Sequence, residues 1–220
     1  MRNFDLLVLD FDGTLADSEA LLVGLVNDTL AAHGLPRADH RLVARQIGSP
    51  LPRVFRQSTD HLDDETLARL CAHYRLHADS MDFVRRFRLF PRVRSTLAAL
   101  HEAGAHLVIG TSKGHATTCD IIRHCGLDDL VAEIIGGDSV TQGKPHPEMI
   151  DRARALFETP RQRTLMVGDS IFDIEMGHAA GVATCAAAYG MQEPETLRAL
   201  QPRFVIERID QLICLVVTPP

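Results

Sequence analysis

The stretch Phe4-Asp5-Leu6-Leu7-Val8-Leu9-Asp10-Phe11-Asp12-Gly13-Thr14 carries the first strong signal of fold and of chemistry. Phe4 to Leu9 is a short apolar run of the kind a strand shows when both its faces are covered, and it stops abruptly in acids and a glycine, the composition of a sharp loop. Asp10 and Asp12 flank a single bulky residue, so on an extended strand their side chains share a face, and a turn starting at Gly13 can bring both carboxylates to one place. Carboxylates so close repel unless a proton or a cation lies between them, and a hard oxygen-seeking ion such as Mg²⁺ offsets that repulsion. Taken alone, the segment is equally compatible with an ordinary Asp-Gly turn.

Short apolar runs recur at His106 to Gly110, Val131 to Ile135, Thr164 to Val167 and Val182 to Ala186, with helical patterns between most of them. This alternation predicts an α/β fold, a Rossmann-like parallel sheet with helices on both faces. Met149, Ile150, Ala153, Leu156 and Phe157 mark one helical stripe, and Ile121, Ile122 and Cys125 part of another; both are expected to be core packing. Between the first strand and His106 the pattern is helical, with Leu21, Leu22, Leu25 and Val26, then Leu67, Leu70, Cys71 and Tyr74. The expected organisation is a core of residues 1–16 and 88–220 with an α-helical cap of residues 17–87 inserted in it. Gly34-Leu35-Pro36 and Gly48-Ser49-Pro50-Leu51-Pro52 divide that cap into several short helices.

Other strand ends repeat the chemistry of the first. Leu165-Met166-Val167 runs into Gly168-Asp169-Ser170, and Asp173 follows on what reads as the first turn of a helix, where acids are also favoured by the helix dipole. Because a parallel sheet gathers its strand ends along one edge, Asp169 is the expected third metal carboxylate beside Asp10 and Asp12. Val108-Ile109-Gly110 runs into Thr111-Ser112-Lys113, which offers hydroxyls and backbone N–H groups where a helix is expected to begin, a setting that suits phosphate oxygens and equally suits plain capping. Lys144 lies in Gly143-Lys144-Pro145-His146-Pro147-Glu148, where prolines stiffen the loop and can hold an ammonium at a defined point. Lys113 and Lys144 are the only lysines in the chain.

The four segments Asp-Phe-Asp-Gly-Thr, Thr-Ser-Lys, Lys-Pro-His-Pro-Glu and Gly-Asp-Ser-x-x-Asp, in this order and at strand ends, resemble the haloacid dehalogenase-like superfamily, and the likeness extends over nearly the whole chain. It looks closest to the phosphoglycolate phosphatase and β-phosphoglucomutase-like branch. The resemblance implies a phosphatase in which Asp10 is the nucleophile and Asp12 the general acid and base, with Gly13 in support. It implies Thr111, Ser112 and Lys144 around the phosphoryl oxygens, and Mg²⁺ held by the Asp10 carboxylate, Asp12 through its backbone carbonyl, and Asp169. Asp173 is then expected to support Lys144 or a metal-bound water. An acid at Asp12 favours phosphoryl transfer over carbon–halogen cleavage within that superfamily.

The resemblance makes a small phosphorylated metabolite the expected partner, 2-phosphoglycolate first, with pyrophosphate, sugar phosphates, nucleotides or a mutase reaction as alternatives. Outside enzymes, a phosphoaspartate receiver-like or inactive binding module is the competing class; a receiver would be shorter and would need no acid like Asp12. The loop Gln46-Ile47-Gly48-Ser49-Pro50-Leu51 resembles the cap loop of this branch, and Glu19 is a further cap candidate, whereas His61, His73 and His77 read as surface groups.

Composition is consistent with these expectations. The 220 residues carry a net charge of -6, so nucleic acid is not an expected partner, and the cluster Arg85, Arg86, Arg88, Arg92 and Arg94 reads as a solvated surface. Five scattered cysteines, none spaced C-x-x-C, point to neither disulfides nor zinc and suit a reducing cytoplasm. No apolar run is long enough to span a membrane, no secretion signal is expected, and the chain is expected to be a monomer or a homodimer.

Overall fold

A computed structural model describes residues 2–217. Its centre is a six-stranded, wholly parallel sheet made of β1 (Leu6–Leu9), β2 (His106–Gly110), β3 (Glu133–Ile135), β4 (Thr164–Gly168), β5 (Ala183–Ala187) and β6 (Phe204–Ile206) in the order β3-β2-β1-β4-β5-β6. Every residue of β1 is buried, which explains its unbroken apolar sequence. Leu7 and Leu9 point into one apolar cluster, Leu6 and Val8 into another on the opposite face, and β4 divides in the same way, Leu165 and Val167 against Met166.

The helices in chain order are α1 (Glu19–Ala32), α2 (His40–Ala44), α3 (Leu51–Ser58), α4 (Asp64–Ala78), α5 (Met81–Val84), α6 (Val93–Glu102), α7 (His115–His124), α8 (Glu148–Leu156), α9 (Ile171–Ala180), α10 (Pro194–Ala199) and α11 (Gln211–Val216). The larger face of the sheet is covered by α6, α7 and α11 through Leu97, Ile121 and Leu212, the other by α8 and α9 through Met149, Ile150 and Met176. From β1 the chain builds outward to β2 and β3 and then returns to start β4 on the other side, so the order reverses beside β1. That reversal leaves a crevice at the carboxyl ends of β1, β2 and β4, the place where open parallel sheets bind their ligands.

The helices α1 to α4 build a core of their own from Val23, Val26, Leu30, Val43, Phe55, Leu67, Leu70 and others. At the same time Leu22, Leu25, Ala78, Phe83 and Val84 join the cluster that packs on the sheet. α1 thus buries two faces, Leu22 and Leu25 against the sheet side and Val23, Val26 and Leu30 against its neighbours, which accounts for a sequence apolar nearly all round. Entry and exit of this segment run side by side: the Asp17 N–H donates to the Arg88 carbonyl at 2.9 Å and the Phe90 N–H to the Leu15 carbonyl at 2.9 Å.

Several expectations are refined. β3 starts at Glu133, two residues later than the apolar run, and β6 is an edge strand whose three residues carried no readable period. Leu156, placed on the buried stripe of α8, is 56% exposed at the last turn of that helix, while Met149, Ile150 and Ala153 are buried. The arginine cluster is a surface: Arg92 pairs with Asp210, Arg94 with Asp129 and Arg85 with Asp82, the three arginines all at exposed positions. The five cysteines are free, and no described helix is long and apolar enough to cross a membrane.

Candidate active site

Asp10 follows the last residue of β1, and its N–H donates to the Val167 carbonyl of β4 at 2.9 Å, which ties its backbone to the neighbouring strand. The chain then turns at once. The Leu15 and Ala16 N–H groups both donate to the Phe11 carbonyl at 2.9 Å, and Gly13 sits at φ +81°. A side chain on Gly13 would be strained there and would also strike Asp169, since its Cβ would lie 2.2 Å from Oδ2. The glycine after the second acid is therefore a steric requirement of the third one.

Lys144 enters from the loop before α8 with a wholly buried side chain, its ammonium 2.6 Å from Asp10 Oδ1 and 2.7 Å from Asp173 Oδ1. Burial works against that ammonium, but the charges of Asp10 and Asp173 outweigh it and hold the lysine protonated well beyond its ordinary range. Asp173 occupies the third position of α9, where Ser170 and Asp173 form a reciprocal capping box: the Ser170 N–H donates to Oδ2 at 3.1 Å and its hydroxyl to the same oxygen at 2.6 Å. Helix capping and alignment of Lys144 are thus performed by the same carboxylate.

Asp169, at the end of β4, accepts the Thr14 hydroxyl on Oδ1 at 2.8 Å and the Met191 N–H on Oδ2 at 2.8 Å. The Tyr189 hydroxyl donates to the Thr14 carbonyl at 2.8 Å, so the loop after β5 fastens the loop after β1. Burial, helped by the neighbouring charge of Asp173, pushes the Asp169 carboxyl up to about 7, and burial together with Asp173 also pushes Asp10 well above the usual carboxylate range. Asp10, Asp169 and Asp173 each present an oxygen within 4.8 Å of the others, all buried, against the single ammonium of Lys144. Three acids facing one cation leave negative charge uncompensated in a low-dielectric place, and an all-oxygen donor set fits Mg²⁺.

Asp12 stands apart from that group. Its carboxylate accepts the Ser18 hydroxyl at 2.8 Å and pairs with Lys113 at 3.1 Å, and Lys113 in turn lies 5.1 Å from the centre of the Phe87 ring. The turn after Asp10 separates two side chains that an extended strand would have left side by side, although both line the same cavity. Thr111 is buried at the end of β2, its N–H bonded to the Ile135 carbonyl at 3.1 Å and its hydroxyl accepting the Lys113 N–H at 3.2 Å. The expected helix start lies further on, since α7 begins at His115 and Thr111 to Lys113 form a loop before it. The Ser112 hydroxyl donates to the Gly48 carbonyl at 2.6 Å and so is engaged with the loop before α3.

Sequence reasoning brought Asp10, Asp12, Thr111, Ser112, Lys144, Asp169 and Asp173 forward, and the fold gathers all of them at one sheet edge. It assigned no role to Thr14, Ser18, Lys113 or Tyr189. Thr14 and Lys113 stand inside quoted motifs and could have been found there, and Tyr189-Gly190 belongs to a tail that resembles the same family as those motifs, whereas Ser18 carries no local pattern.

A family model described as haloacid dehalogenase-like hydrolase matches residues 7–187. The chain is 31% identical to a phosphoglycolate phosphatase of Haemophilus influenzae, with 96% of this chain and 98% of that protein aligned. It is 30% identical to a pyrophosphatase of Anoxybacillus flavithermus, over 97% of each. Among solved structures, a haloacid dehalogenase-like hydrolase from Bacteroides fragilis superposes with a TM-score of 0.90 at 30% identity, covering 96% of this chain and all of that one. A parallel sheet whose strand ends gather these acids around a buried lysine, matched in sequence along most of its length, places the chain among the haloacid dehalogenase-like hydrolases, as a phosphatase of the branch that holds the phosphoglycolate phosphatases.

Proposed function

We propose that the protein hydrolyses the phosphomonoester of a small hydroxy acid through an aspartyl-phosphate on Asp10, with 2-phosphoglycolate the substrate to which its relatives' names point. The observation that carries this reading is the buried Asp10 held by Lys144 at 2.6 Å at the end of the central strand, with Asp12 in the same cavity but in a separate hydrogen-bonded setting. In the first step a carboxylate oxygen of Asp10 attacks phosphorus while the ester P–O bond breaks, and Asp12 gives its proton to the departing alkoxide. In the second step Asp12 takes a proton from water, whose oxygen attacks the phosphoaspartate and frees phosphate and the Asp10 carboxylate. Ser18 and Lys113 orient the Asp12 carboxyl, Lys144 and Thr111 face the phosphoryl oxygens, and Asp173 keeps Lys144 in place.

Asp10 and Asp169, with Asp173 close by and the Asp12 carbonyl as a further donor, would hold Mg²⁺. When bound, the ion supplies positive charge that offsets both the buried acids and the charge developing on the phosphoryl group. We take residues 17–87 as a cap that closes over the core and the paired crossings at Asp17 and Arg88 as its base. The absence of paired thiols is in keeping with a cytoplasmic enzyme.

Phosphate release from 2-phosphoglycolate, pyrophosphate, sugar phosphates and nucleotides, with Mg²⁺ or with EDTA, tests the reading in the parent and in Asp10→Asn. Metal-dependent release from 2-phosphoglycolate that the substitution abolishes is the expected result. Equal release by both proteins would remove the phosphoaspartate, and preference for pyrophosphate would move the substrate to an anhydride.

A further inference from the structure

The cavity above Asp10 has two unlike walls. The sheet edge contributes acids, hydroxyls and Lys113, whereas the helical segment contributes Leu22, Val26, Ile47, Leu51 and Val54, and then Tyr74 and Arg75 from α4. Its volume is about 630 Å³. Glycolate phosphate, with about nine non-hydrogen atoms, would fill a small part of a space in the range that holds much larger ligands. The volume belongs to a docked helical segment: Ser112 holds the Gly48 carbonyl at 2.6 Å and Gln192 the Arg45 carbonyl at 3.1 Å.

Among the described residues, the cations around this cavity are committed, with one exception. Lys144 pairs with Asp10 and Asp173, Lys113 with Asp12, and Arg53 lies 5.0 Å from the centre of the Phe172 ring. Arg75 is exposed on the cavity wall and, among the described residues, has no carboxylate within ion-pair distance. Two acids that line the same cavity are engaged elsewhere: Asp79 accepts the Thr117 hydroxyl and Asp138 the His115 N–H at 2.8 Å. An apolar wall next to an unpaired guanidinium is complementary to a molecule that is apolar along its length and anionic at its end, because each buried methylene strengthens binding roughly fourfold and a guanidinium pairs oxyanions bidentately.

Building on the phosphomonoester reading above, we propose that the preferred leaving group is longer than glycolate: an alcohol whose apolar body lies along the half-exposed Ile47, Leu51 and Tyr74 and whose terminal oxyanion, carboxylate or phosphate, pairs with Arg75. Arg75 is then a specificity residue at the far end of the substrate from the chemistry, and 2-phosphoglycolate is the shortest and slower member of the accepted series.

The test measures kcat and KM for 2-phosphoglycolate, ω-phosphonooxyhexanoate, the bisphosphate of hexanediol and hexyl phosphate, in the parent and in Arg75→Gln. The parent should have a higher kcat/KM for one of the two long esters with an anionic group at each end than for 2-phosphoglycolate, and the one with the greater Arg75 dependence identifies the oxyanion. Arg75→Gln should raise KM for that ester about tenfold, the worth of a charge-assisted hydrogen bond, with kcat little changed and hexyl phosphate unaffected. A parent that prefers 2-phosphoglycolate, or a variant that affects hexyl phosphate by the same factor, overturns the proposal. If the parent hydrolyses none of the four, the phosphatase reading itself fails on these esters, and calorimetric affinities of Asp10→Asn for them decide chain length independently: tighter binding of a long ester with an oxyanion at each end than of 2-phosphoglycolate and hexyl phosphate supports it, while equal, reversed or absent binding overturns it.

Discussion

At the sheet edge and in the helical segment the same cavity is walled by two different kinds of structure. Asp10, Lys144, Asp173 and Asp169 are all buried, and each is gripped from a separate strand end or loop: Lys144 reaches two acids, Asp173 also caps α9, and Asp169 takes a hydroxyl and an N–H. Across the cavity, Leu22, Val26, Leu51 and Val54 offer shape and no hydrogen bonds, and Arg75 has no fixed partner among the described residues. Reacting groups must be held within fractions of an ångström, whereas a surface that sorts substrates can vary side chain by side chain without disturbing them. Substitutions on the two sides should therefore fail in different ways.

The largest effect is expected at the proposed nucleophile. Asp10→Asn should lower kcat by about 10⁴-fold or more, since loss of a nucleophile leaves only binding and electrostatics, and it should leave the fold intact by circular dichroism. Residual turnover within tenfold of the parent would end the contrast, because the sheet edge would then not be the reacting side. Lys144→Met comes next. It leaves buried carboxylates without their cation, so kcat should drop about 10²- to 10³-fold and stability in urea, measured with EDTA, by about 3–5 kcal/mol.

The carboxylate cluster also gives the metal-free protein a pH signature. The folded-state pKa of Asp169 is raised from 3.8 to about 7, so the protein holds that proton more tightly folded than unfolded. Its contribution is fully present below 3.8 and is lost as pH rises through about 7. In EDTA, Tm should consequently fall between about pH 5 and pH 8, and Mg²⁺ should raise Tm most at the alkaline end, where the acids are ionised. A flat Tm in EDTA would mean that Lys144 alone balances the cluster.

The smallest effect is predicted where the two walls meet. Ser112→Ala removes the hydroxyl that holds the Gly48 carbonyl, a neutral bond worth about 1 kcal/mol, so KM should rise by a few-fold with little change in kcat. A large loss of kcat instead would place Ser112 among the groups that touch the phosphoryl oxygens.

Much of the sheet edge could be read in the chain itself. β1, β2, β4 and β5 were expected within a residue or two because buried parallel strands are apolar throughout and end in abrupt polar turns. β6 escaped because three residues cannot display a period, and Leu156 was misplaced because the last turn of a stripe can leave the core. Asp10, Asp12 and Asp169 were legible because they stand where an apolar run gives way to a turn, in Asp10-Phe11-Asp12-Gly13 and Gly168-Asp169-Ser170, and Asp173 because it falls in the first turn of a helix. The contact of Ser112 with Gly48 joins residues 64 positions apart and has no local signature.

From the sequence alone follow the order of the strands' chemistry and the identity of the acids and the lysine at their ends, because these depend on local pattern: an apolar run, then a turn, then a charge. Only the tertiary structure decided which charges meet. It turned Asp12 away from Asp10 toward Lys113, brought Asp173 rather than the Asp12 side chain into the carboxylate group, and left Arg75 without an ion-pair partner among the described residues, because each of these outcomes depends on distances between segments far apart in the chain.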